Sequence, residues 1–152
     1  MNVILPCSLA DTCIDLFDTG SGKLFTNSPS VAYLDSIGGS ATNGISTETG
    51  SYGPAGTFYK FDWNNANALC DAYNTNSLGD RTNWRLATRD ELRIELYDVY
   101  GNMFKARGWP INLVYWSMTS IGTHYYALNF LNGSNSGNHP TGMVYASCVS
   151  EP

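Results

Sequence analysis

The amino-acid sequence predicts a single α+β domain in which helices pack on antiparallel strands and disulfides close the chain. Three observations lead to this prediction. Two segments repeat apolar residues at helical spacing, and the segments around them have the short apolar runs and turn residues of strands. Four cysteines give an even count, as is usual in disulfide-bonded domains. The length of 152 residues suits one domain over residues 1–152.

The segment TNWRLATRDELRIELYDVYGN (82–102) predicts a strand that leads directly into a helix. Its apolar run WRLA stops at Thr88, and Glu91 follows at the spacing of a capping box. Gly101 suits the left-handed position that ends a helix, so we expect a helix from about Arg89 to Tyr100. The positions i, i+4 and i+7 predict one buried face, formed by Leu92, Leu96 and Val99.

A second helix is predicted for the segment DWNNANALCDAY, which begins at Asp62. Aspartate is a preferred N-cap because its carboxylate accepts hydrogen bonds from the first amides of a helix. A cysteine on the buried face of a helix suits a structural disulfide better than a reactive thiol. The apolar stripe of this helix contains Trp63, Ala66, Cys70 and Tyr73.

The segments before the helices predict strands, turns and one long loop. Residues 13–39 alternate short apolar runs with turn signals, and the turn DTGSGK separates the strand candidates Cys13–Phe17 and Lys23–Thr26. The segment Gly38–Gly56 is rich in Gly, Ser and Thr and predicts a long surface loop or an irregular hairpin.

The C-terminal third predicts strands only. Residues 103–113 form a connector, and from Val114 onward three strand segments follow, with Asn132–Gly142 as the loop between the last two. The strand segments are VYWSMTS, HYYALNFLNGS and GMVYASCVS.

The charge and composition exclude several classes of partner. Lys and Arg number 8 against 13 Asp and Glu, a net charge of −5, whereas nucleic acids and anionic membranes require basic surfaces. No apolar run is long enough to span a bilayer, so we expect no membrane insertion by this domain. Only 14% of the residues are charged, and the polar, aromatic-rich remainder indicates an extracellular binding protein.

The sequence alone leaves open how the cysteines pair and whether they form disulfides. Cys7, Cys13, Cys70 and Cys148 allow three pairings, and four buried free thiols in a cytosolic protein are the alternative. Their spacing contains no CxxC and matches no zinc motif with the histidines.

No enzymatic motif is complete, so the sequence predicts a protein without catalytic activity. The nucleophile elbow GxSxG is absent, and His124 and His139 have no Ser/Asp pair at a recognisable spacing. Gly20, Gly22 and Lys23 give the letters GxGK but lack the spacing of a phosphate-binding loop.

The order of elements and two motifs resemble the C-type lectin-like fold, in a bacterial branch with the signature WRLPT-x-x-E-L, then YWS-S-T, then a final strand with a cysteine. Ala87 replaces the usual proline and Met118 the usual serine. The resemblance covers about Phe58 to the end of the chain. The matching residues are Trp84, Arg85, Leu86, Thr88, Glu91, Leu92, Tyr115, Trp116, Ser117, Thr119, Cys148 and Val149.

This resemblance implies two helices flanking a twisted antiparallel sheet, and a disulfide from Cys70 on the first helix to Cys148 on the final strand. Cys7 is then expected to pair with Cys13. Domains of this branch lie at the tips of bacterial surface adhesins, both invasin- and intimin-like and collagen-like. The resemblance therefore implies an extracellular ligand-binding domain of the bacterial cell surface, excised from a larger protein.

The calcium site of many lectins of this fold has no counterpart here. The EPN, QPD and WND triplets are absent, and Glu151 is the only acidic residue after Asp98. Calcium requires six to eight oxygen ligands, usually with several carboxylates. We therefore expect ligand binding without calcium, other metals or cofactors.

In this fold, the segment between the YWS strand and the last strand holds the ligand loop. Aromatic faces stack on sugar rings or apolar side chains, and amides bond to hydroxyl or peptide groups. We expect a glycan as ligand, and a protein or peptide on another cell surface as the alternative. A glycan site would show a small cleft with exposed aromatic rings, and a protein site a broader apolar patch. The candidate ligand-binding residues are His124, Tyr125, Asn129, Asn132, Asn135, Asn138 and His139.

Overall fold

The computed structural model describes residues 7–152, in which strands form two four-stranded sheets and one hairpin. The strands are β1 (Leu16–Asp18), β2 (Leu24–Thr26), β3 (Ile45–Glu48), β4 (Gly56–Tyr59), β5 (Arg85–Leu86), β6 (Tyr115–Ile121), β7 (His124–Leu128), β8 (Asn135–Asn138), β9 (Tyr145–Ala146) and β10 (Cys148–Ser150). The first sheet has the order β1-β2-β10-β5, the second has the order β8-β7-β6-β9, and β3 pairs with β4 alone.

The first sheet confirms the predicted strand–helix joint and the predicted final strand. All its pairs are antiparallel, and β10 lies between β2 and β5, with Val149 opposite Phe25 and Cys148 opposite Leu86. The hairpin β3–β4 forms the irregular hairpin predicted for Gly38–Gly56.

The second sheet differs from the prediction in two ways. Strand β9 runs parallel to β6, so the strands do not form one antiparallel sheet. The predicted loop Asn132–Gly142 contains β8, which pairs with β7 along its whole length. The sequence of β8 is Asn-Ser-Gly-Asn, which has no β-branched or aromatic residue. Strand propensity therefore does not reveal it, and pairing with β7 determines its conformation.

The structure has more helices than the two predicted. The additional helices α1 (Val31–Ser36) and α4 (Met103–Arg107) lie in segments predicted as strands with turns and as a connector, respectively. Short polar caps begin both: Ser30 Oγ accepts from the Tyr33 amide at 2.9 Å, and Asn102 Oδ1 accepts from the Lys105 amide at 3.0 Å. The helices are α1 (Val31–Ser36), α2 (Trp63–Thr75), α3 (Asp98–Tyr100) and α4 (Met103–Arg107), with a 3₁₀ turn at Leu78–Asp80.

The predicted capped helix is largely a π-helix. Residues Glu91–Tyr97 are π-helical and continue into α3. Leu92 and Leu96 are buried as predicted, but Val99 is 65% exposed, so its predicted burial was wrong. A π-helix has roughly 4.4 residues per turn, and the i+7 position therefore turns away from the face that it would share in an α-helix.

Helix α2 confirms its predicted cap and three of the four residues of its predicted buried stripe, whereas Trp63 is partly exposed. Asp62 Oδ1 accepts from the Asn65 amide at 2.8 Å, and Ala66, Cys70 and Tyr73 are buried. Cys70 forms a disulfide with Cys148 of β10. The predicted pair Cys7–Cys13 is also bonded, and the described residues include no free cysteine.

The core between these elements is unusually aromatic. Trp109, Trp116, Tyr115, Tyr145 and Phe130 are all fully buried. The rings of Trp109, Tyr115, Phe130 and Tyr145 meet edge to face or tilted, with centroids 5.1–6.0 Å apart. This is the arrangement that the ring quadrupoles favour.

A buried carboxylate joins the π-helix to the first sheet. Both Glu91 oxygens accept from the Arg85 guanidinium, at 2.7 and 2.9 Å, and Lys23 Nζ donates at 2.9 Å. The Thr88 amide donates to the same carboxylate at 2.8 Å. Burial opposes ionisation of Glu91, but these hydrogen bonds and the two cations outweigh it and lower its pKa to about 2.

The capping box gives a first prediction. We expect Thr88→Ala to lower the free energy of unfolding by about 0.5–2 kcal/mol, because the Glu91 amide loses its acceptor, Thr88 Oγ1, at 3.1 Å. Urea denaturation measures the loss. Thr49→Ala is the control, since Thr49 is exposed in the β3–β4 hairpin loop. An equal loss in both variants would contradict the cap assignment.

Candidate ligand-binding site

The structure divides the candidate residues into separate groups around the strand pair β7–β8. Tyr125 lies opposite Asn138, and Leu128 lies opposite Asn135, so the two ends of the pair are about 10 Å apart. Four candidates lie on strands, and two of these, Asn135 and Asn138, belong to the segment predicted as a loop. The groups are Tyr125 with Asn138, His124 with His139, and the far-end residues Asn129, Asn132 and Asn135.

The far-end asparagines shape the turn between β7 and β8. Asn129 Oδ1 accepts from the Leu131 amide at 2.8 Å, and Asn132 Oδ1 accepts from the Ser134 amide at 2.9 Å. Asn135 Oδ1 is buried and has no hydrogen-bond partner among the described residues. Two of these amides therefore act as turn formers.

At the near end, Tyr125 stacks on Trp63, the first residue of α2. The rings are 10° from parallel with centroids 3.7 Å apart, and both side chains are partly exposed. Asn138 shares this face because directly opposed residues of an antiparallel pair point to the same side. Its Nδ2 donates to the Ser136 carbonyl at 3.1 Å, which holds the side chain beside the stack.

Several contacts fix the position of Trp63. Its amide donates to the Pro140 carbonyl at 3.0 Å, and its Nε1 donates to the Ser117 carbonyl of β6 at 3.0 Å. The sequence placed Trp63 in the buried stripe of α2 and missed its place in this site. Its position directly after the N-cap Asp62 is the signal for exposure, because the first turn of a helix often extends past the core.

The two histidines occupy the opposite face of the sheet, since His124 precedes Tyr125 on β7 and successive side chains alternate. The rings of His124 and His139 meet edge to face, 87° apart in plane and 5.3 Å between centroids. A threonine hydroxyl lies at each Nδ1: Thr123 Oγ1 at 3.0 Å from His124 and Thr141 Oγ1 at 2.7 Å from His139.

Cationic and apolar side chains border this second face. The Arg89 guanidinium lies 4.7 Å from the ring centroid of Tyr126, within the range of a cation–π contact. Met118 and Ile121 of β6 are exposed, and Ile121 Cγ2 lies over Gly137 of β8. Strand β8 is the terminal strand of the sheet, so the outer edge of its backbone has no partner strand within the described residues.

Residues 7–152 contain no group of three or more His, Cys, Asp or Glu side chains that could hold a metal ion. Within the same range, no helix has both the length and the apolar character needed to cross a membrane.

Comparison with known proteins identifies the fold and the family. The structure is similar to that of the adhesin InvE of Yersinia pseudotuberculosis, with a TM-score of 0.66 and 21% identity over 90% of this chain. The match covers 34% of the InvE chain, so this protein spans about a third of its length. No curated protein matches the sequence.

The likeness to InvE confirms the predicted C-type lectin-like fold. The family model of the Lcl C-terminal domain matches residues 38–150, which is more than half of the chain. The protein therefore belongs to the Lcl C-terminal domain family, and its fold is C-type lectin-like.

Proposed function

We propose that this protein is an extracellular adhesin module of a bacterial cell surface that binds glycans on a host or neighbouring cell without calcium. Membership of the family and the fold shared with an adhesin support the adhesin role. The single observation that supports a glycan is the partly exposed Trp63–Tyr125 stack with Asn138 beside it.

The stack has the chemistry that a sugar ring requires. A pyranose presents C–H groups on one face and hydroxyls around its edge, so it needs an aromatic surface bordered by polar groups. Because Trp63 is held by Pro140 and Ser117, the aromatic surface is ordered before a ligand arrives. A preorganised surface loses little entropy on binding, which favours a small ligand.

A protein or peptide ligand is the second candidate function. The observation that favours it is the pair of exposed apolar side chains, Met118 and Ile121, next to the open edge of β8. An extended peptide could add to β8 as a further strand and place its side chains over Ile121. In this case binding would depend on Ile121 and not on Trp63.

Glycan-array binding followed by calorimetric titration of the best glycan tests the proposal. We expect Trp63→Ala and Tyr125→Ala each to weaken binding about two- to tenfold, because an aromatic contact contributes about 0.5–1.5 kcal/mol. Tyr52→Ala is the matched control, since Tyr52 is exposed in the β3–β4 hairpin loop. We expect no change for this control.

Further variants separate the alternatives. Asn135→Ala tests the far-end group, and Ile121→Ser tests the apolar surface beside β8. Loss of binding only with Ile121→Ser would favour the peptide ligand. Circular dichroism of each variant shows whether it is folded. We expect equal affinity in metal-free buffer and with millimolar Ca²⁺, and loss of binding in metal-free buffer alone would contradict calcium independence.

A further inference from the structure

The charge around the Trp63–Tyr125 stack has one sign. No Asp, Glu, Lys or Arg occurs between Trp109 and Ser150, so the strands and loops of the second sheet contribute no side chain of these types. At the start of α2, by contrast, the carboxylate of Asp62 belongs to the residue directly before Trp63. The stack therefore lies between an uncharged sheet and a single negative charge.

From this arrangement we infer that Asp62 makes the site select neutral glycans over anionic ones, such as sulfated or carboxylated sugars. The inference rests on the glycan-binding function proposed above and names the class of glycan. An anionic group on a sugar bound at Trp63 would lie within several ångströms of the Asp62 carboxylate. Like charges at that separation on a protein surface change an affinity by about two- to fivefold at low salt.

The carboxylate of Asp62 is held in place by uncharged partners. Its Oδ1 accepts from the Asn65 amide at 2.8 Å, and its Oδ2 accepts from Asn43 Nδ2 at 3.3 Å. The Asp62 amide donates to Asn43 Oδ1 at 2.7 Å, and Asn65 Nδ2 donates to the same oxygen at 2.8 Å. These amides order the carboxylate but bring no positive charge to neutralise it.

The amino end of α2 does not reverse this charge. The first amides of a helix carry a partial positive charge of about half an elementary charge, which by itself would attract an anion. Asp62 is the N-cap of α2 and places a full negative charge at this end. The sum at the start of the helix is therefore negative.

The basic side chains of the chain lie elsewhere. Arg89 contacts the ring of Tyr126, which follows Tyr125 on β7 and so points to the opposite face of the sheet. Lys60 comes two residues before Asp62, but its Cε lies beside Gly44 of the hairpin segment. The other six belong to the first sheet and its flanking turns, to the π-helix or to α4: Lys23, Arg81, Arg85, Arg93, Lys105 and Arg107.

Pairs of glycans that differ by one sulfate, such as N-acetyllactosamine and its sulfated form, test the inference. On an array of such pairs we expect the neutral member to give the stronger signal. Calorimetry of the best pair in low-salt buffer should show about two- to fivefold weaker binding of the sulfated member. In about 1 M salt the Debye length falls to about 3 Å, so the ratio of the two affinities should approach one.

Asp62→Asn removes the charge and keeps the cap, because asparagine is as good an N-cap as aspartate. The ratio of the two affinities should therefore fall towards one in this variant at low salt. Asp71→Asn is the matched control, since it makes the same change of net charge at an exposed position of the same helix. We expect the control to keep the ratio of the wild type.

The outcomes separate this inference from the function on which it rests. Equal or stronger binding of the sulfated member by the wild type would overturn the inference and leave glycan binding intact. A preference for the neutral member that persists in Asp62→Asn, or that Asp71→Asn abolishes equally, would also overturn it. Failure of the wild type to bind any glycan would contradict the proposed function, and the inference would fall with it.

Discussion

Replacement of Glu91 by glutamine is expected to lower the free energy of unfolding by about 3 kcal/mol at neutral pH. The Glu91 side chain is 7% exposed and binds Lys23 and Arg85 in salt bridges of 2.9 and 2.7 Å. Glutamine retains an acceptor for the Thr88 amide but removes the buried anion that Lys23 and Arg85 share, so that only the more exposed Glu95 and Glu151 remain near the two cations. Loss of one partner of a buried ion pair is costly because the other charge stays partly desolvated.

Glu95→Gln is the matched control for this experiment. Glu95 also forms a salt bridge with Lys23, at 3.0 Å, but its side chain is 38% exposed. Exposed pairs contribute about 0–1 kcal/mol, so the control should lose little stability. Urea denaturation of both variants gives the comparison. Equal losses of unfolding free energy in the two variants would show that the burial of Glu91 does not determine its contribution to stability.

The same carboxylate should make stability depend on pH. The pKa of Glu91 falls from 4.5 to about 2 on folding, so the unfolded chain takes up the proton first as the pH drops. The stabilisation is complete above about pH 4.5 and is lost as the pH falls towards 2. The difference in stability between wild type and Glu91→Gln should therefore shrink over this range, and a constant difference would contradict the assignment.

The sequence predicted those parts of the fold that local chemistry determines. The predicted caps at Asp62 and Thr88 are confirmed, because each is a hydrogen bond between residues only three positions apart. The predicted burial of Val99 was wrong because the spacing of apolar residues does not show how many residues a helix has per turn. Glu91 also binds Lys23, which lies 68 residues earlier in the chain, and a periodic pattern cannot show such a long-range contact.

The site was harder to predict than the fold, for a similar reason. The sequence indicated the segment that contains Tyr125 and the two histidines, but it could not show on which face of the sheet each side chain lies. Faces depend on the pairing register, and β8 has a sequence without strand preference. Trp63 joins the site through α2, which lies about sixty residues earlier in the chain, so only the tertiary structure brings it to Tyr125.

Removal of the Cys70–Cys148 disulfide should cost about 4–5 kcal/mol, by the loss of a constraint on the unfolded chain. The bonded residues are 78 positions apart, whereas Cys7 and Cys13 are separated by only 6. In the chain-entropy model, the stabilisation by a disulfide grows with the logarithm of the loop that it closes, so the short bridge should contribute about 2 kcal/mol.

Two double variants test this difference, one with Cys70→Ala and Cys148→Ala and the other with Cys7→Ala and Cys13→Ala. Guanidinium denaturation should show the larger loss for the first, in which both residues are buried between α2 and β10. Equal losses would mean that loop entropy does not set the contribution of these bridges. A large loss confined to the first variant would confirm that the long loop closed between α2 and β10 sets the contribution of this bridge to stability.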